Sequence, residues 1–232
     1  VFAPRAVQRL LDVQPPKEEG GFQIKGTMIR TLPTTAALAL IQTGEDQQAY
    51  VSAMWAGDSR VYLLDASGLA QLTVDDTTVT DPMETIYEDG ILRNIFCSDR
   101  QVRLHCATFP VRLPFVVIAA TDGCFGYVST PMEFEGLLLG TLMQSGSPAQ
   151  WESLLDKAIG SVAGDDHTLC LAAVGYRDFA QLQQSCAARY AFLYQNYLVP
   201  LSTLPLEDRQ TRYEMWKQYR SHYSRYLKDG QE

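Results

Sequence analysis

Apolar positions keep three different spacings along this chain, and the changes mark its elements. From Thr35 the run Ala-Ala-Leu-Ala-Leu-Ile is followed by Gly44-Glu45-Asp46, then by residues 49–57, which alternate and end at Gly57. That pattern predicts strand, hairpin, strand. Val61 to Leu64 and Leu69 to Leu72 flank the turn residues Asp65-Ala66-Ser67-Gly68, and predict two further strands continuing the same antiparallel sheet. Residues 75–103 are polar and weakly periodic, which predicts a surface excursion with some helix over Met83 to Glu88. Phe115 to Ala120 is uniformly apolar, as in a strand covered on both faces, and Thr168 to Val174 reads as a second buried strand. Pro131 to Leu142 and Ser147 to Ile159 have helical spacing, with Ser147 placed to cap and Pro148 to open the second helix.

Helical spacing returns from Phe179 to Leu198 and, after Pro200 and Pro205, from Leu206 to Leu227. In the last stretch Tyr213, Trp216, Tyr219, Tyr223 and Tyr226 form one aromatic stripe. The stripe is expected to cover the parent domain, and exposed it would make an outsized apolar patch. Arg209, Arg212, Lys217, Arg220, Arg225 and Lys228 interleave with it, as a solvated face or as a surface for an acidic protein partner. Near the start, Ala6 to Val13 suits a short helix, and Pro15 to Gly21 suits only a loop.

Composition narrows the functional classes. The 232 residues are 46% hydrophobic and 20% charged, which suits a globular domain with an appendage, and no stretch has the length of a membrane span. A net charge of −8 disfavours nucleic acid and anionic membrane as partners. Cys97, Cys106, Cys124, Cys170 and Cys186 form no C-x-x-C pair and read as reduced thiols, so a cytoplasmic location is expected. Three scattered histidines suggest no His-based metal site.

The candidate chemistry is acidic. Asp122 follows one apolar strand and Asp165 precedes another; strand-end carboxylates brought together suit Mg²⁺ or Mn²⁺, although each alone is an ordinary turn residue. Several segments resemble, in order, the motifs of the PP2C family of metal-dependent protein phosphatases. Gly57-Asp58-Ser59-Arg60 resembles G-D-S-R, Leu72-Thr73-Val74-Asp75 resembles L-T-x-D, Thr121-Asp122-Gly123 resembles S-D-G, and Asp165-Asp166-His167-Thr168 resembles D-N-x-T. Pro33-Thr34-Thr35-Ala36 is similar to G-T-T-A, with Pro in place of Gly.

The resemblance implies an α+β fold, a sandwich of antiparallel sheets flanked by helices. It implies a binuclear Mn²⁺ or Mg²⁺ centre that activates water for attack on phosphoserine or phosphothreonine of a protein substrate. By the same resemblance Asp122 and Asp165 hold one ion, with Gly123 and Asp166 in the same site and Asp58 at an additional, weaker ion. No side chain is assigned as the catalyst. The expected organisation is a PP2C-like domain over residues 1–177 and a helical extension over 178–232.

The family's D-G-x-G-G segment is not found among these residues; the early acids are Asp12, Glu18 and Glu19. The family's N-terminal part is therefore expected to lie outside this sequence, and two readings stand: an active serine/threonine phosphatase, or a pseudophosphatase used as a scaffold or regulatory module. Gly126 stands where the family often has a further aspartate. Cys124 is expected to serve packing, and His167 a strand face, more than chemistry.

Overall fold

A computed structural model describes residues 33–88, 90–98 and 101–227. The expected helix over Ala6 to Val13, the loop after it and Lys228 lie outside the described residues. Among the described residues, seven strands form two antiparallel sheets. The first joins β1 (Ala36–Thr43), β2 (Gln48–Ala56) and β5 (His105–Arg112) in the order β1-β2-β5. The second joins β3 (Arg60–Asp65), β4 (Gly68–Gln71), β6 (Phe115–Ala120) and β7 (Leu169–Val174) in the order β4-β3-β6-β7. The single continuing sheet expected from the strand sequence is thus corrected: β2 and β3 are not neighbours. The chain changes sheets through Gly57, whose φ of 94° suits glycine and whose missing Cβ leaves room for the Thr35 side chain.

Alternation along β3 and β6 explains the layers. Val61, Leu63, Phe115 and Val117 face the first sheet, where they meet Val51, Ala53 and Trp55. Tyr62, Leu64, Val116 and Ile118 face the helices. The middle of the second sheet is therefore buried on both sides, as its continuous apolar runs require. Strand β5 was not anticipated, because Pro110 and its polar residues mask the inward alternation of Ala107, Phe109 and Val111. The segment after Asp75 is less superficial than expected. Asp75 and Met83 are buried, and its helix shrinks to one 3₁₀ turn, Glu84–Ile86. Strand β7 also departs from expectation: it is an edge strand, and none of its residues is buried.

The helices are α1 (Pro131–Gln144), α2 (Pro148–Gly160), α3 (Phe179–Leu193), α4 (Val199–Thr203) and α5 (Arg209–Tyr223). Thr130 and Ser147 cap α1 and α2, each followed by Pro in the first turn. A π turn, Tyr194–Leu198, carries α3 into α4, so Pro200 opens a helical segment where a break was expected, and the break falls after Thr203. The helices after Asp178 share one core with the second sheet. Within it Trp216, Tyr219 and Tyr223 are buried, Tyr223 donates to Gln71 at 2.9 Å and Trp216 to Asp81 at 3.0 Å. Glu135 of α1, fully buried, receives two bonds from Arg189 at 2.7 Å and one from Tyr219.

The basic residues between these aromatics are mostly occupied within the chain. Arg212 is buried against Ser129, Arg220 pairs with Asp81, Arg225 with Asp65 and Lys217 with Glu214, and Arg209 lies over the Tyr87 ring. Lys217 and Arg220 stay more than half exposed beside their own acids, so the face is solvated as well as paired.

Candidate metal centre

The register of the second sheet decides which acids meet. Arg60 of β3 stands opposite Ala120 of β6, and Ala120 opposite Leu169 of β7. Asp58 lies just before Arg60, Asp122 just after Ala120, and Asp165-Asp166 just before Leu169. All three acidic segments therefore emerge at one end of the sheet.

Local chemistry holds each segment there. At the turn into β3, Arg60 forms a buried bidentate pair with Asp75, Nε to Oδ1 at 2.9 Å and Nη2 to Oδ2 at 2.6 Å, with its guanidinium 4.1 Å from the centre of the Phe125 ring. Burial opposes the charge on Arg60, but Asp75 more than offsets it and holds the guanidinium well above its usual range. Thr35 bonds Ser59 at 2.7 Å, which joins the Pro33-Thr34-Thr35 segment to the same turn. At the end of β6, Asp122 opens a 3₁₀ turn and accepts from its neighbour's amide, Gly123 N–H, at 2.9 Å. Thr168 N–H donates to Thr121 Oγ1 at 2.9 Å, and Thr121 N–H to the Thr168 carbonyl at 3.0 Å. A Cβ on Gly123 would collide with the Asp166 carbonyl, so glycine is what lets the two segments touch.

Burial and then the Asp122 carboxylate push the Asp58 carboxyl up to about 6. Asp122, Asp165 and Asp166 are exposed, and Asp165 accepts from the amide of Asp166 at 2.8 Å. His167 turns away to bond Asp156 at 3.1 Å and lines an open cleft of about 430 Å³ between α2 and β7. Cys124 is buried and donates to the Thr168 carbonyl; burial raises its thiol to about 11, which fits packing.

Sequence reasoning did not identify the Arg60–Asp75 pair as a brace. An arginine and an acid in adjacent motifs was the available signal.

A hard divalent cation takes about six oxygen ligands. Among the described residues no three His, Cys, Asp or Glu side chains stand close enough together to hold one ion. The described residues therefore do not by themselves fit a two-ion centre: they supply Asp58 and Asp122 at the same sheet end, with Gly123 packed against the Asp165-Asp166 segment.

No protein-family model matches the sequence, and no curated protein matches it. Among solved structures the chain is similar to the serine/threonine phosphatase Stp1 from Staphylococcus aureus, at 25% identity and TM-score 0.47, over 61% of this chain and 56% of that one. It is similar to the Mycobacterium tuberculosis serine/threonine phosphatase PstP, at 21% identity and TM-score 0.45, over 60% of each chain. A structure of the PstP catalytic domain in complex with two manganese ions matches at 22% identity and TM-score 0.43, over 60% of this chain and 58% of that one. The chain spans less than two thirds of the length of each of these structures.

Proposed function

We propose that this chain is part of a PP2C-type serine/threonine phosphatase domain that removes phosphate from a phosphorylated protein in the presence of Mn²⁺ or Mg²⁺. The observation that carries the reading is the convergence of Asp58, Asp122 and Asp165-Asp166 at one sheet end, where burial and then the Asp122 carboxylate raise the Asp58 carboxyl. Two carboxylates held together disfavour full ionisation, and a cation relieves the repulsion. In this reading Asp122 and Asp58 form one side of a cation site, Gly123, Asp165 and Asp166 complete its rim, and the remaining ligands come from residues outside those described.

A second reading is favoured by one contact pattern. Asp122 and Asp165 both accept from the amide that follows them, as ordinary turn carboxylates do. This supports a pseudophosphatase scaffold.

Hydrolysis of p-nitrophenyl phosphate by the complete gene product, with and without Mn²⁺, separates the two. The phosphatase reading expects metal-dependent turnover that Asp122→Ala and Asp165→Ala each reduce to background. A folded protein with no turnover at any Mn²⁺ or Mg²⁺ concentration sinks it and leaves the scaffold.

A further inference from the structure

The helix α5 lies beyond the last of the motif segments in the sequence, yet a run of bonded contacts leads from it to the turn that carries Asp58. That turn is held at two points by one neighbouring stretch. Gly57 N–H donates to Asp76 Oδ2 at 3.0 Å and Asp76 N–H to the Gly57 carbonyl at 3.0 Å, while Arg60 forms its buried pair with Asp75. Asp58 sits between the two holds, so its place follows that of residues 75–76 and of the Arg60 guanidinium.

Both ends of that guanidinium lead to α5. Arg60 Nη2 donates to Thr85 Oγ1 at 3.1 Å. Thr85 N–H donates to the Asp81 carbonyl at 3.0 Å and its hydroxyl to the Pro82 carbonyl at 3.1 Å, which leaves the hydroxyl lone pairs for Arg60. The Asp81 side chain, 11% exposed, accepts Met83 N–H at 2.8 Å from its own turn. From α5 it receives Trp216 Nε1–H at 3.0 Å and Arg220 Nη1 at 3.2 Å. At the other end, Arg60 Nη1 lies 3.4 Å from Tyr62 Oη, and the Tyr62 ring meets Tyr223 edge-on, with centroids 6.2 Å apart. Apolar burial alone requires no polar group at Asp81. The helix brings two, and charge-assisted bonds fix geometry as well as adding energy. Met83 in the same turn is fully buried, which leaves that turn little room to shift.

We propose that α5 is a positioning element for the Asp58 arm of the candidate cation site: by fixing Asp81 it fixes the 81–85 turn, and through Thr85 and Arg60 it sets where Asp58 stands relative to Asp122. In this role, which rests on the reading of Asp58 as a cation-site residue, Trp216, Asp81 and Thr85 are positioning residues that act through Arg60.

The test uses the full chain with Trp216→Phe, which keeps an aromatic ring in the core and removes the N–H, and with Asp81→Ala. Trp151→Phe is the control, because Trp151 is also a buried indole but bonds the Leu138 carbonyl and Thr141 Oγ1, both at 3.2 Å, within the α1–α2 pair. Two quantities are read by nuclear magnetic resonance: solvent exchange of Arg60 Nε–H without metal, and broadening of the amides of residues 57–59 relative to 121–124 in substoichiometric Mn²⁺. Releasing Asp81 is expected to speed the Arg60 exchange on the order of tenfold. It should also cut the broadening of 57–59 several-fold relative to 121–124, and Trp151→Phe should do neither. Equal effects of Trp216→Phe and Trp151→Phe overturn the proposal, because α5 then only stabilises. Faster Arg60 exchange with an unchanged broadening ratio also overturns it. If the native protein shows no Mn²⁺ broadening in either segment, the cation-site reading fails separately. The metal-free amide shifts of 57–59 then decide the role of α5: moved by Trp216→Phe and not by Trp151→Phe they uphold it, and unmoved they overturn it. If Asp81→Ala loses its amide dispersion, it has unfolded, and Trp216→Phe decides.

Discussion

Thr121 and Thr168 exchange backbone and side-chain hydrogen bonds across the ends of β6 and β7, and through them the Asp122 turn and the Asp165-Asp166 turn are held side by side. Thr121→Val removes the acceptor for the Thr168 amide while keeping the shape. A loss of about 1 kcal/mol in urea unfolding is expected, and Thr121→Ser should restore it. Gly123→Ala should cost more, about 1–3 kcal/mol, because the added methyl meets backbone that has no room to yield.

The Arg60–Asp75 pair lies in the interior, with each side chain 4% exposed. Replacing Asp75 with Ala leaves a buried guanidinium without its carboxylate. The expected cost is about 3–5 kcal/mol in denaturant unfolding, and a paired replacement by apolar residues of similar volume should recover much of it. A small effect of the single substitution would mean that Arg60 reaches water or another acid.

The C-terminal helix is part of the core in energetic terms. Trp216→Ala should destabilise the protein by about 3–5 kcal/mol, since the indole is fully buried and its N–H reaches Asp81. Lys217→Ala, one residue away on the solvent side, should change stability by less than about 0.5 kcal/mol. Thermal melts of the two variants test this contrast.

His222 gives the fold a pH dependence of predictable sign. Burial and then the neighbouring Arg225 lower its imidazole to about 4. The unfolded chain therefore binds a proton that the folded chain refuses between that value and the ordinary histidine range near 6.5. Stability from this group is complete above about pH 6.5 and falls as the pH drops toward 4. Denaturant midpoints measured across that window should show a slope that His222→Gln reduces.

The strands of the candidate site were legible because apolar runs ended in turn acids. Phe115 to Ala120 followed by Asp122 is the clearest case, and the sequence order of the motifs pointed to the same end of the sheet. The sheet switch at Gly57 was not legible, because alternation reports which residues share a face and not which strand lies beside which. Strand β7 was misread as buried for a related reason: Leu169 to Val174 has an interior composition at an edge position. The roles of Arg60 and Asp75 were hidden because pairing between residues in different segments appears only once the chain has folded.

The most direct test of the central claim is where Mn²⁺ lands on this protein. In a titration followed by nuclear magnetic resonance, small amounts of the paramagnetic ion should broaden the amide signals of residues 57–59, 121–124 and 164–167 together, and Asp122→Asn should abolish that pattern. Broadening spread over acids elsewhere on the surface, with these three segments unaffected, would contradict the account.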